Sequence, residues 1–120
     1  CPADAIGTSF YKKNFANGVS IPAKGFFLIA DTKASDSIKN AADMTVGWSL
    51  SDNATIYLVS SQEIISAGND ADIVDKVGFG PNACFAETSP AQSPPESKSI
   101  ERKELGLDTG DNSADFKISD

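Results

Sequence analysis

The sequence predicts an all-β fold, a sandwich or a barrel. Short apolar stretches recur at roughly ten-residue intervals, each broken by Gly, Pro or Asn. Helix-period patterns are almost absent. The chain has 120 residues, which suits one domain over 1–120 with a single thin core.

Residues 1–9 are small and polar and read as an arm. Phe10, Tyr11 and Phe15 form an aromatic stretch closed by Asn17-Gly18, which supplies the positive φ of a tight turn. Val19-Ser20-Ile21 alternates as a half-buried strand does, and Pro22-Ala23-Lys24-Gly25 turns the chain. Phe26–Asp31 is the strongest strand pattern and predicts burial on both faces. Residues 32–43 read as a polar loop in which Asp36 caps one short helical turn. Val46–Leu50 alternates apolar and small residues, Ser51–Ala54 is turn chemistry, and Thr55–Val59 is a β-branched and aromatic strand. Ile73–Phe79 is a strand again, with Ile73, Asp75, Val77 and Phe79 on one face. Asp75 on that face needs an edge position or a hydrogen-bond partner. Residues 80–97 carry Pro81, Pro90, Pro94 and Pro95 and read as a Pro-rich loop inside the domain. Lys98–Lys103 resumes as a charged, edge-type strand, Gly106–Asp115 is a turn region, and Phe116–Ile118 closes the chain as a strand.

Net charge is −7, and all of the excess lies in residues 61–120. An acidic surface repels phosphate backbones, so no nucleic-acid partner is expected. No apolar run reaches spanning length, so no membrane span is expected either. The chain lacks histidine. That excludes Ser-His-Asp and Cys-His catalysis and a Cys/His zinc site completed within one chain. Cys1 and Cys84 suit either one disulfide in an oxidising compartment or two free thiols. The leading cysteine fits the first residue of a lipid-bearing mature chain, but the start of an excerpt explains it better.

Four patterns could carry chemistry. Ser9-Phe10-Tyr11-Lys12 fits S-x-x-K, which needs a helix start, whereas its flanks read as strand. Asp108–Asp115 clusters oxygen ligands without the spacing or the glutamate of a calcium loop; an Asx-rich turn that caps its own amides explains it better. Asp70, Asp72 and Asp75 allow the same two readings. Asn53-Ala54-Thr55 fits a glycosylation acceptor, relevant only in a eukaryotic secretory protein. Trp48 reads as core packing. No catalytic, cofactor-binding or metal-ligating residue is assigned, and no cofactor is expected.

Gly25–Ala30, Trp48–Asp52 with Thr55–Leu58, Ile73–Gly80, Ser99–Lys103 and Asp108–Phe116, in this order, resemble segments of the lamin-tail domain family. Gly25-Phe26-Phe27-Leu28-Ile29-Ala30 resembles its strand after a Pro-Ala-Lys/Gly-Gly turn. Trp48-Ser49-Leu50-Ser51-Asp52 with Thr55-Ile56-Tyr57-Leu58 resembles its "Leu-Ser-Asn … Ile-x-Leu" hairpin. Ile73–Gly80 resembles "Val-Asp-x-Val-x-Tyr-Gly", and Ser99–Lys103 with Asp108–Phe116 resembles the closing pair. Together these span residues 22–118. The opening "Ile-x-Ile-Asn-Glu" and "Trp-Ile-Glu-Leu-x-Asn" segments are not found, so the chain reads as an excerpt of a longer protein.

The resemblance implies an immunoglobulin-like antiparallel β-sandwich, incomplete at its N-terminal edge. It implies a non-catalytic interaction or scaffolding module of a secreted or cell-surface bacterial protein, not an enzyme. Its partners would be proteins or cell-surface components met through strand edges or the loops 31–45 and 80–97. The rival expectation is a carboxylate-based calcium-binding or hydrolase-associated accessory domain.

Overall fold

The computed structural model describes residues 11–48 and 50–120. The predicted arm at 1–9, with Cys1 and Ser9, lies outside the described residues. The fold is small and β-rich with little helix. The described chain clusters into two compact units, Tyr11–Ser49 and Leu50–Asp120. No described helix is long and apolar enough to cross a membrane.

In the unit Tyr11–Ser49, strand β1 (Ile29–Asp31), helix α1 (Asp36–Ala41) and strand β2 (Met44–Val46) form a small crossover. β1 and β2 pair in parallel, Ile29 with Met44 through Asp31 with Val46. The sequence expectation was antiparallel pairing. The intervening segment is long enough to carry the chain back to the starting end, which parallel pairing requires. This helix takes up half of 32–43, where the sequence predicts one short helical turn in a loop. Ser35, not Asp36, occupies the cap position, without a side-chain cap bond. Asp36 opens the first turn, suits the helix dipole, and pairs with Lys39 at 3.2 Å.

The Phe26–Asp31 run is less buried than its composition suggests. Of this run only Ala30 is buried, and Phe26 is 78% exposed. The ladder begins only at Ile29, and the Leu28 amide instead donates to the Asp43 carboxylate at 2.8 Å. Residues 19–21 form no strand. The turns at 16–19 and 22–25 close as expected, through Val19 N–H to Ala16 C=O and Gly25 N–H to Pro22 C=O. Trp48 is half-buried and stacks on Tyr11, their ring centroids 6.2 Å apart.

In the unit Leu50–Asp120, β3 (Ala54–Val59) pairs antiparallel with β4 (Ile73–Phe79). β5 (Ser99–Arg102) pairs antiparallel with β6 (Phe116–Ser119), which follows the single-turn helix α2 (Asn112–Asp115). These strands match the sequence reading closely. One facing assignment is corrected. The β3–β4 register shifts between Leu58 and Val59, so Ile73 pairs with Val59 while Asp75 pairs with Leu58. The extra residue, Val74, is a β-bulge that moves Ile73 off the face of Asp75, Val77 and Phe79.

Apart from Gly68, Gly78 and Gly80, the buried residues of this unit are Phe79, Ala91, Asn112 and Asp115. Two are apolar and two polar, so its centre depends on hydrogen bonding as well as packing. The Pro-rich segment 80–97 is pinned to β4. Ala91 N–H donates to Gly78 C=O at 2.8 Å, and Gly80 N–H donates to Ala91 C=O at 2.9 Å. A side chain at Gly78 would run into Phe85 and Ala86, so the approach of this segment requires glycine there.

Candidate functional site

The residues with most chemical character converge beside β4, from four separated segments. β4 supplies Asp75 and the Pro-rich segment supplies Glu87. β5 supplies Arg102. The turn and helix before β6 supply Asp108, Thr109, Asn112 and Asp115.

Asn112 is fully buried. Its Oδ1 accepts from Gly78 N–H at 2.9 Å and Glu87 N–H at 3.0 Å. Its Nδ2 donates to Lys76 C=O and to Glu87 Oε2, both at 3.2 Å. Its own N–H donates to Glu87 C=O at 2.9 Å. One side-chain amide thus takes two of the β4 backbone groups that a neighbouring strand would pair with. It also ties Glu87 and the Pro-rich segment to the sheet.

Asp115 is equally buried. Its carboxylate accepts from Thr109 Oγ1 at 2.6 Å and Thr109 N–H at 2.8 Å, and Arg102 Nη1 lies 3.9 Å away. The Thr109 hydroxyl bond is the main reason its pKa sits below the usual aspartate range. Desolvation opposes it, while the Thr109 amide and Arg102 add to it. Arg102 Nη2 pairs with Asp75 at 3.1 Å, and Nη1 donates to Leu107 C=O at 2.6 Å. Its guanidinium lies 4.7 Å from the centre of the Phe116 ring, its cross-strand partner. Asp75, flagged by sequence as needing a partner, therefore has one in the chain's single arginine.

Asp75, Glu87 and Asp108 each bring a carboxylate oxygen within 4.8 Å of the others. Glu87 carries the strain. Desolvation first, then Asp108 and Asp75, raise its pKa, with Lys76 and Arg102 opposing. A raised folded pKa means that ionising Glu87 costs stability once pH exceeds the ordinary glutamate value, about 4.3. Glu87→Gln keeps an acceptor for Asn112 and removes that charge. It should raise the thermal midpoint at pH 7 by on the order of 1–3 °C, with the gain vanishing near pH 4. A midpoint that falls at pH 7 would show that the glutamate charge stabilises the site.

The remaining sequence candidates lie as follows. Asp70 does not join Asp75: it accepts from Ser66 N–H and Oγ and from Asp72 N–H, closing its own loop, and these backbone bonds lower its pKa. In the Asp108–Asp115 turn, Asp108 accepts from Gly110 N–H and Asp111 caps α2 through Ser113 N–H and Oγ. With Asp115 on Thr109, the turn's aspartates take amides of the turn, as the Asx-rich reading expects. Asn53 Oδ1 accepts from Asn82 N–H at 2.8 Å, and Thr55 Oγ1 donates to Phe85 C=O. The Ser9 and Phe10 positions of S-x-x-K lie outside the described residues. Cys84 is disulfide-bonded; Cys1 also lies outside them.

Sequence reasoning missed Asn112 and Arg102 as the organising residues. A lone arginine in a charged strand and an asparagine in an Asx-rich turn look like surface features until distant partners are known. It did single out the Pro-rich segment. There Pro81, Pro90, Ala91, Pro95 and Ile118 line an open groove of about 490 Å³.

No protein-family model, curated protein or solved structure matches this chain.

Proposed function

We propose that this chain is a non-catalytic interaction module of a secreted or cell-surface bacterial protein, with the immunoglobulin-like sandwich architecture that the lamin-tail resemblance implies. The observation that carries the reading is the Pro-rich segment. Hydrogen bonds to β4 and Asn112 fix its base, while Gln92, Ser93 and Pro95 of its Gln92–Glu96 tip line the open groove. A fixed backbone bearing an open, proline-lined surface binds at low entropic cost. The disulfide at Cys84 supports an oxidising compartment.

The test replaces Gln92–Glu96 with a Gly-Ser stretch and, separately, changes the exposed Ile38 of α1 to Ser. Immobilised wild-type chain is exposed to bacterial extracellular proteins, and any recovered protein is purified and titrated against all three forms. We expect affinity at least tenfold weaker in one variant, with melting unchanged. Equal binding by all three, or no specific partner, overturns the reading. A calcium melt addresses the rival class. Arg102 already supplies Asp75 with a countercharge, so millimolar calcium should leave the midpoint unchanged. A rise abolished by Asp108→Asn would replace the interaction reading with a cation-dependent one.

A further inference from the structure

The two edges of the β3–β4 ribbon differ. On β4, Lys76 C=O and Gly78 N–H bond to Asn112, and Gly78 C=O accepts from Ala91 N–H. All these groups point away from β3. Thr55↔Gly78 and Tyr57↔Lys76 are therefore the non-hydrogen-bonded pairs of the ladder. It follows that the N–H and C=O groups of Thr55 and Tyr57, and by alternation Val59, point outward from β3. No described strand pairs with that edge.

Among the described residues, β3 also lacks the usual protection of an edge. Ala-Thr-Ile-Tyr-Leu-Val holds no charge and no proline, and the bulge lies on the partner strand. Ile56 is 44% exposed and Leu58 36%.

We propose that the outer edge of β3 pairs antiparallel with the same edge of a second copy, about a two-fold axis at Tyr57. The strand is self-complementary in this register. Thr55 faces the second copy's Val59, and Tyr57 faces its counterpart. All these positions are of the outward hydrogen-bonding kind, so the two backbones match. Ile56 faces the second copy's Leu58, twice, so the exposed aliphatic side chains cover one another. A foreign strand would need the same uncharged alternation, whereas a second copy supplies it by symmetry. A six-residue edge is a small interface, and each chain carries −7. The pair is therefore weak and strengthens with salt. The inference does not depend on the module reading.

Sedimentation of the full chain from about 5 to 500 μM, at low and moderate salt, measures the pairing. Wild type should shift from monomer to dimer with concentration, several-fold more tightly at the higher salt. Ile56→Lys with Leu58→Lys sets like charges opposite each other at both pairs and should weaken the dimer at least tenfold. Ile56→Glu with Leu58→Lys sets opposite charges there and should restore it, a rescue specific to this register. All forms should give the same circular dichroism. A monomer throughout, or a dimer indifferent to both charge patterns, overturns the proposal. So does slow exchange of the Thr55 and Tyr57 amides in dilute monomer.

Discussion

Asn112→Ala is expected to lower the thermal midpoint of the Leu50–Asp120 unit by roughly 15–30 °C, the largest effect of any single substitution considered. The side chain makes four hydrogen bonds from a fully buried position. Truncation leaves Gly78 N–H, Glu87 N–H and Lys76 C=O without partners, beside a void. Such groups cost about 1–3 kcal/mol each, and partial relaxation brings the total to about 3–5 kcal/mol. That is a large share of a small domain's stability, about 5–15 kcal/mol. The loss has a specific location. The 85–92 backbone should show faster amide exchange, because Asn112 is what ties Glu87 to β4. Calorimetry is the proper readout, since Trp48 belongs to the other unit and its fluorescence reports on residues 11–49. A midpoint within 2 °C of wild type, a margin well below the ~4–8 °C expected per kcal/mol, would show that the amide is replaceable and the argument wrong.

Asp115→Asn should be the second largest loss, and it should change shape with pH. The carboxylate receives two donors from Thr109 and faces Arg102. A carboxamide can accept one of these bonds, but its NH2 group then meets a second donor. The folded pKa of Asp115 is lowered. Its stabilisation is therefore complete above the ordinary aspartate value, about 3.9, and disappears as pH falls through the lower folded value. Wild type should lose stability steeply below about pH 4, and the variant less so, bringing the two curves together in acid. At pH 7 the variant's midpoint should lie more than ~5 °C lower. Parallel curves across the whole range would remove Asp115 as the source of the acid sensitivity.

The strands of the unit Leu50–Asp120 were legible in the sequence because local signals agree there. Thr55–Val59 and Ile73–Phe79 combine β-branched residues with glycine, asparagine and proline at their ends. Val74 shows the limit. Nothing in the alternation Ile-Val-Asp-Lys-Val marks it as an insertion, because a bulge is set by the partner strand's register. In the unit Tyr11–Ser49 the apolar run Phe26–Ala30 was misleading. Composition measures how much a segment could bury, whereas its neighbours decide how much it does. The polar centre was half legible. Asp75 announced its need for a partner by sitting among apolar residues. Its partner Arg102, 27 positions later, and the hub Asn112, 34 positions beyond Gly78, required the topology that brings β4, β5 and α2 together.

The amide of Asn112 has a consequence beyond stability. By occupying the positions on β4 that an added strand would need, it makes the ribbon one-sided. Strand addition at both edges propagates without end, which is how exposed ribbons seed fibrils. Here pairing through β3 uses up this ribbon's open side, and the ribbon itself adds no further strand. Asn112 shares with Ala91 the part of a chain terminator, and a protein that lost the amide would uncover Gly78 N–H and Lys76 C=O on that edge as well as lose stability.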